Sequence, residues 1–246
     1  MATEQLVRLA IGVVVLLGTT EVVLHLGGVR IGRAPVIAMA RGAVQLAGVG
    51  LLLHGVIGAP WAVVLALAVM LGTATWTATH RLAGFERAAR AVVVSCSAGG
   101  VVALGLVFAI GVLPVSPRYV VALGGIVIGN TMTGATLAGR HLRAGLIARR
   151  EEVEAWLSLG ATMRQAVDDI ARAAAGESLV PTMDQTRTTG LVTLPGAFIG
   201  ALLGGASPLQ AARFQLVVLA AILCAQSIVA VLLTYLLGAP RQLPSS

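Results

Sequence analysis

Glu21, Arg41, Gln45, Asn130 and Asp184 stand inside or at the edges of long apolar runs, where a polar side chain is costly unless it is paired, hydrated or used. Arg41 and Gln45 are one helical turn apart and share a face, as do Glu21 and His25. Three readings fit the first group: an ion pair in which Glu21 neutralises Arg41 across the first two helices, a direct cargo or proton role, or an interfacial anchor. Asn130, between Gly129 and Thr131, suits a hydrogen bond between helices or a ligand contact. Asp184 follows Pro181 and precedes Thr188 and the Pro195-Gly196 break. That cluster reads either as the hinge or mouth of a transport pathway or as the cap of a helix starting near Gln185.

Covalent chemistry is harder to find. The 17 basic residues are all Arg, so there is no Lys for a Walker A loop or for a Schiff base. The chain is therefore expected not to be an enzyme, and any ATP hydrolysis must reside in another subunit. Cys96 and Cys224 lie far apart in apolar runs and form no Cys-x-x-Cys motif. His, Cys, Asp and Glu do not cluster within the apolar segments, so the sequence leaves any metal ligands unknown.

The elements that must position these groups are membrane helices. Of 246 residues, 57% are hydrophobic and only 11% charged, against about a quarter charged in soluble domains. This predicts an all-α polytopic helical bundle, one domain over 1–246, in contact with the lipid membrane. About seven apolar segments are readable, near 6–26, 35–57, 60–79, 92–113, 119–139, 190–205 and 214–237. The sixth is short and Gly-rich, and reads as a short crossing or a re-entrant element. Arginine follows an orienting pattern rather than a nucleic-acid footprint. Arg30, Arg33, Arg81, Arg87, Arg90, Arg241 and the seven Arg of the polar stretch 140–189 fall on one side, which is then cytoplasmic. Arg8, Arg118 and Arg213 fall on the other. With the sixth segment crossing, the N-terminus is outside and the C-terminus inside.

The stretch 140–189 predicts a cytoplasmic helical hairpin. Segment five is expected to continue as a helix towards Leu159, and a second short helix to run from Met163 to Ala175, capped by Thr162 and closed at Gly176. Glu154-Ala155, Gly160 six residues after Glu154 and Ile170 ten residues after Gly160 resemble the EAA-type loop of ABC transporter permeases. The Leu-Pro that often ends that motif is absent. The resemblance implies that Glu154, Ala155, Leu159, Gly160, Ala161 and Ile170 couple to a separate ABC ATPase subunit.

The flanks sharpen it. Ile128-Gly129-Asn130-Thr131-Met132, Leu157 to Thr162, Val180 to Gly196 and the Arg41-to-Leu46 stretch resemble the FetB-type family of iron-export ABC permeases, which includes plant aluminium-tolerance permeases. Met183, Gln185 and Arg187 depart from that pattern. The family implies a multi-pass permease of the plasma (bacterial inner) membrane, a homodimer, exporting iron or a related metal, with ATP and Mg bound by the partner ATPase and no cofactor in this chain. Its pathway would draw on Glu21, Arg41, Gln45, Asn130, Asp184, Thr188 and Pro195. Two other classes stay open on the residues alone: an ion-gradient-driven secondary transporter titrating Glu21 and Asp184, and a non-transporting membrane scaffold.

Overall fold

The computed structural model describes residues 2–56, 60–240 and 243; Arg241 lies outside them. Among the described residues the chain is all-helical, with nine helices and no strand. They are α1 (Ala2–Leu26), α2 (Ala34–Val56), α3 (Pro60–Arg81), α4 (Ala88–Ala109), α5 (Pro117–Ala148), α6 (Arg150–Ser158), α7 (Met163–Thr188), α8 (Gly196–Leu203) and α9 (Pro208–Leu237). Parts of α1, α3, α4, α5 and α9 are long and apolar enough to cross a membrane, whereas Ala34–Val49 of α2 is a shorter apolar stretch. Five spans of that kind stand where the sequence suggested about seven.

The helices divide into two compact units, Met1–Gly58 and Ala59–Ser246. The first contains α1 packed against α2. The second is built on α5 and α9, which pack against one another and against α4 and α7. Small residues let these helices approach closely. A Cβ added at Gly99 of α4 would lie 2.6 Å from the Ala225 carbonyl oxygen of α9 and 2.8 Å from Val229 Cγ2. The core between them is aliphatic: Val92, Leu142, Leu146, Val167, Val229 and Leu233 are fully enclosed.

The structure refines three expectations. Segment five does continue as a helix beyond residue 139, but α5 ends at Ala148, and Arg149 (φ −111°, ψ 29°) separates it from α6. The helix opened by Thr162 does not stop at Gly176 but continues through Pro181 to Thr188. The reason is tertiary: Ala166, Ile170, Ala174, Ser178 and Thr182 recur every fourth residue and are all buried, one stripe facing α5 and α9. Burying that stripe outweighs the roughly 1 kcal/mol that Gly costs inside a helix. The 190–205 segment contributes only the eight-residue α8, about 12 Å long, too short to cross a bilayer core of about 30 Å by itself.

Between α7 and α8 the backbone turns at Gly190 (φ +89°), whose N–H donates to the Thr193 carbonyl at 2.8 Å, with an isolated bridge between Thr189 and Thr193. α8 packs beside α9, and α7 packs beside it too. Thr182 meets Gln226, which is 18 residues from Pro208 and 11 from Leu237, or about 27 Å and 16 Å along α9. The later part of α7 thus reaches the middle of α9, and α8 is a second element packed on the same helix.

Candidate functional site

Two features of the second unit carry functional potential, and α7 joins them. The first is the corner between α6 and α7. α6 closes with a Schellman arrangement: the Gly160 N–H donates to the Leu157 carbonyl and the Ala161 N–H to the Trp156 carbonyl, both at 3.0 Å. Gly160 sits at φ +90°, where a Cβ would clash with its own backbone. Two residues later Thr162 opens α7 with a capping box: its hydroxyl accepts from the Gln165 N–H, and Gln165 Oε1 accepts from the Thr162 N–H at 2.9 Å. Two back-to-back caps fix the bend.

The corner presents apolar surface at its tip. Leu159 is 81% exposed and Trp156 51%. A cavity of about 540 Å³ lies between α6 and α7, with Glu152, Asp168 and Asp169 among its lining residues. The Arg149 guanidinium hydrogen-bonds the Glu152 carboxylate and holds it below its ordinary range. Glu154 is exposed and paired with Arg150 at 2.8 Å, and Ala155 is exposed. Ile170 is buried at the other end of the motif: its Cγ2 lies 2.6 Å from where a Gly145 Cβ would be, so α5 and α7 touch there through Gly145.

The second feature is a polar network in the apolar interior. Thr182 Oγ1 donates to Gln226 Oε1 at 2.5 Å, and Gln226 Nε2 donates to the Asn130 carbonyl at 3.1 Å. Gln226 is 1% exposed. The Asn130 side-chain amide donates to the Ile126 carbonyl of its own helix at 2.8 Å. One step along α5, the Thr131 carbonyl accepts a weak contact from Cys96 Sγ at 3.7 Å. Hydroxyls, amides and backbone carbonyls make up this network, and no ionised group takes part in these bonds. Among the described residues no cluster of His, Cys, Asp and Glu is arranged to hold a metal ion.

This chain is similar to proteins of known families. Residues 6–240 match the family described as Uncharacterised protein family (UPF0014). It is 37% identical to the UPF0014 membrane protein STAR2 of Oryza sativa subsp. japonica over 202 residues, 81% of this chain and 70% of that one. The chain belongs to the UPF0014 family. Within it, Protein ALUMINUM SENSITIVE 3 of Arabidopsis thaliana is 33% identical over 202 residues, 81% of this chain and 74% of the relative. The probable iron export permease protein FetB of Escherichia coli (strain K12) is 29% identical over 163 residues, 66% of this chain and 63% of its own length. No solved structure matches significantly. With these relatives and its apolar helices, this UPF0014 protein is a multi-pass integral membrane protein.

The structure gathers only some of the residues singled out in the sequence. Asn130 joins the interior network through its carbonyl. Asp184 lies inside α7, exposed and paired with Arg187 at 3.3 Å, so it caps no helix beginning at Gln185. The Thr188 hydroxyl bonds back to the Asp184 carbonyl at 3.0 Å, and Pro195 is the residue immediately before α8. Glu21, Arg41 and Gln45 belong to the first unit. Among the described residues no ion pair joins Glu21 to Arg41; Arg41 and Gln45 are exposed, and Glu21 Oε1 is buried without a hydrogen-bond partner. An i to i+4 spacing puts residues on one face but says nothing of which way that face turns. Gln226, Thr182 and Gln215 were missed. The two glutamines stand eleven residues apart in the apolar run of α9, a spacing of about three turns that puts both on one face, and that was the signal available.

Proposed function

We propose that this UPF0014 protein is the membrane-spanning permease of an ABC transporter, acting as a homodimer with two copies of a separate ATPase. The observation that carries this reading is the rigid corner at Gly160–Thr162, which displays Leu159 and Trp156 and continues through α7 to the Thr182–Gln226 bond. A corner with fixed caps transmits a push without absorbing it. Docking of the ATPase on the Glu154-to-Ile170 hairpin, on the cytoplasmic side, would displace α7 along α5 and α9. The turn at 189–195 would then change beside the polar interior, with Glu21, Arg41, Gln45, Asp184, Thr188 and Pro195 as further candidates for the pathway.

The cargo is proposed to be iron or a related metal, exported, by likeness to the relative named as a probable iron export permease. A network of amides and hydroxyls suits a weakly held or chelated metal better than a tightly bound bare ion. ATP and Mg belong to the ATPase, and this chain forms or breaks no covalent bond. The test is transport of iron in vesicles containing the chain, with and without its ATPase. ATP-dependent transport is expected, and transport that persists without an ATPase overturns the reading in favour of gradient-driven exchange. A Gly160→Trp variant is expected to insert normally yet fail to copurify with the ATPase; undiminished copurification would remove the hairpin from the interface.

A further inference from the structure

Outside the interior network, two neighbouring cavities are lined by cationic and apolar side chains, and the one with three arginines is the larger. It lies where α3 ends, beside the later part of α5, and has a volume of about 390 Å³. Arg81, Arg140 and Arg143 line it together with Leu82, Phe85 and Ile147, and no carboxylate is among its lining residues. The loop beneath it is fixed. Leu82 and Phe85 are buried, and the Phe85 N–H donates to the Leu82 carbonyl at 3.1 Å. Gly84 lies against Arg143: a Cβ at Gly84 would stand 3.3 Å from the Arg143 Cζ and Nη1 atoms.

Two observations bear on what this cavity can hold. Arg149, Arg150, Arg172 and Arg187 are each paired with an acid within their own helix or at its start. Arg81 and Arg140 are exposed and, among the described residues, take part in no such pair. The second is level along the helices. Arg81 closes the apolar span Trp61–Arg81, and Arg140 stands 23 residues beyond Pro117, about 35 Å along α5. Both therefore come at the end of a bilayer-length run. Just before Arg81, Trp76 is 61% exposed with its ring 4.3 Å from His80, an aromatic placement typical of the bilayer interface.

We infer that the cavity of Arg81, Arg140 and Arg143 binds the phosphate of an anionic phospholipid. Guanidinium groups meet phosphate oxygens in paired hydrogen bonds. The floor of Leu82, Phe85 and Ile147 takes the glycerol and upper acyl region, and a basic pocket between helices at this level is the setting in which such headgroups are held.

The experiment uses the full chain purified in detergent, with the midpoint of thermal unfolding followed on titration with short-chain phosphatidylglycerol, short-chain phosphatidylcholine or inorganic phosphate. Phosphatidylglycerol is expected to raise the midpoint saturably, and the other two to do so little. The double variant Arg81→Gln/Arg140→Gln is expected to need about 30-fold more phosphatidylglycerol, about fivefold per arginine. Arg87→Gln/Arg90→Gln, an equal loss of charge at a neighbouring cavity, is expected to behave as the parent. Equal weakening in both variants means diffuse surface charge and overturns the site. An equal response to inorganic phosphate makes it a free-anion site and overturns the lipid assignment. Absence of any lipid response, with loss of an acidic soluble partner in the Arg81→Gln/Arg140→Gln variant, makes this face a protein contact instead. Should that variant fail to fold, the unaltered protein decides. A phosphatidylglycerol carrying a photoreactive headgroup is expected to crosslink to 81–85 and 140–147, and crosslinks confined elsewhere sink the proposal.

Discussion

Thr182 of α7 and Gln226 of α9, 44 residues apart in sequence, are joined hydroxyl to amide carbonyl at 2.5 Å in a nearly dry interior. The pair is asymmetric. Thr182→Val strands the Gln226 oxygen, whereas Gln226→Leu leaves a hydroxyl free to turn back to the carbonyl one turn earlier in its own helix. Thr182→Val is therefore expected to cost about 1 kcal/mol of stability and Gln226→Leu less. Thermal unfolding of the two variants and of their combination checks the order; a larger loss for Gln226→Leu contradicts it.

Gln215 provides the contrast. It shares the face of α9 that carries Gln226 and is 5% exposed, and its Oε1 is buried with no hydrogen-bond partner. Replacing an unpaired buried amide by an apolar side chain of similar size removes a desolvation penalty. Gln215→Leu is expected to leave stability unchanged or raise it by about 1 kcal/mol. If it also abolishes transport, Gln215 serves the pathway at the expense of stability. A marked fall in unfolding temperature would mean that its oxygen is satisfied.

Adjacent glycines of α4 separate packing from composition. Gly99 faces α9, with the Ala225 carbonyl 2.6 Å from a would-be Cβ, whereas Gly100 has nothing within 4 Å. Gly99→Ala must push α4 and α9 apart and is expected to cost about 1–3 kcal/mol. Gly100→Ala gains helix propensity and is expected to be neutral or slightly stabilising. Unfolding midpoints of the two variants side by side check this, and equal effects would refute the close contact.

At the hairpin, Gly160→Ala asks a side-chain-bearing residue to hold φ +90°. A loss of about 1–2 kcal/mol is expected, confined to the corner. Hydrogen exchange should therefore rise in α6 and at the start of α7 while α4 and α9 stay protected. Uniform loosening of the whole unit would mean that the corner is part of the global fold.

What the sequence disclosed follows the range of the interactions involved. The bend at Gly160 and the cap at Thr162 were readable because the residues that make them lie within a few positions of one another. The stop expected at Gly176 failed because the buried stripe from Ala166 to Thr182 is decided by α5 and α9, which no local window contains. Asp184 looked like a helix opener for the same reason. Glu21 and Arg41 looked like partners because each needs one, yet need does not establish distance. Gln226 lies inside an apolar run, and its partners, Thr182 and the Asn130 carbonyl, stand 44 and 96 residues away, beyond any local pattern.

The stripe on α7 has one further consequence. Ala166, Ala174, Ser178 and Thr182 offer shallow, similar relief at each turn, so sliding α7 by about 5.4 Å along its axis would restore nearly the same fit. Ile170, seated over Gly145, and Thr182, bonded to Gln226, break that repetition. A smooth rail with two teeth has discrete stopping places rather than a continuum. The register of α7 is held by one isoleucine in one glycine notch and by one hydroxyl on one buried amide.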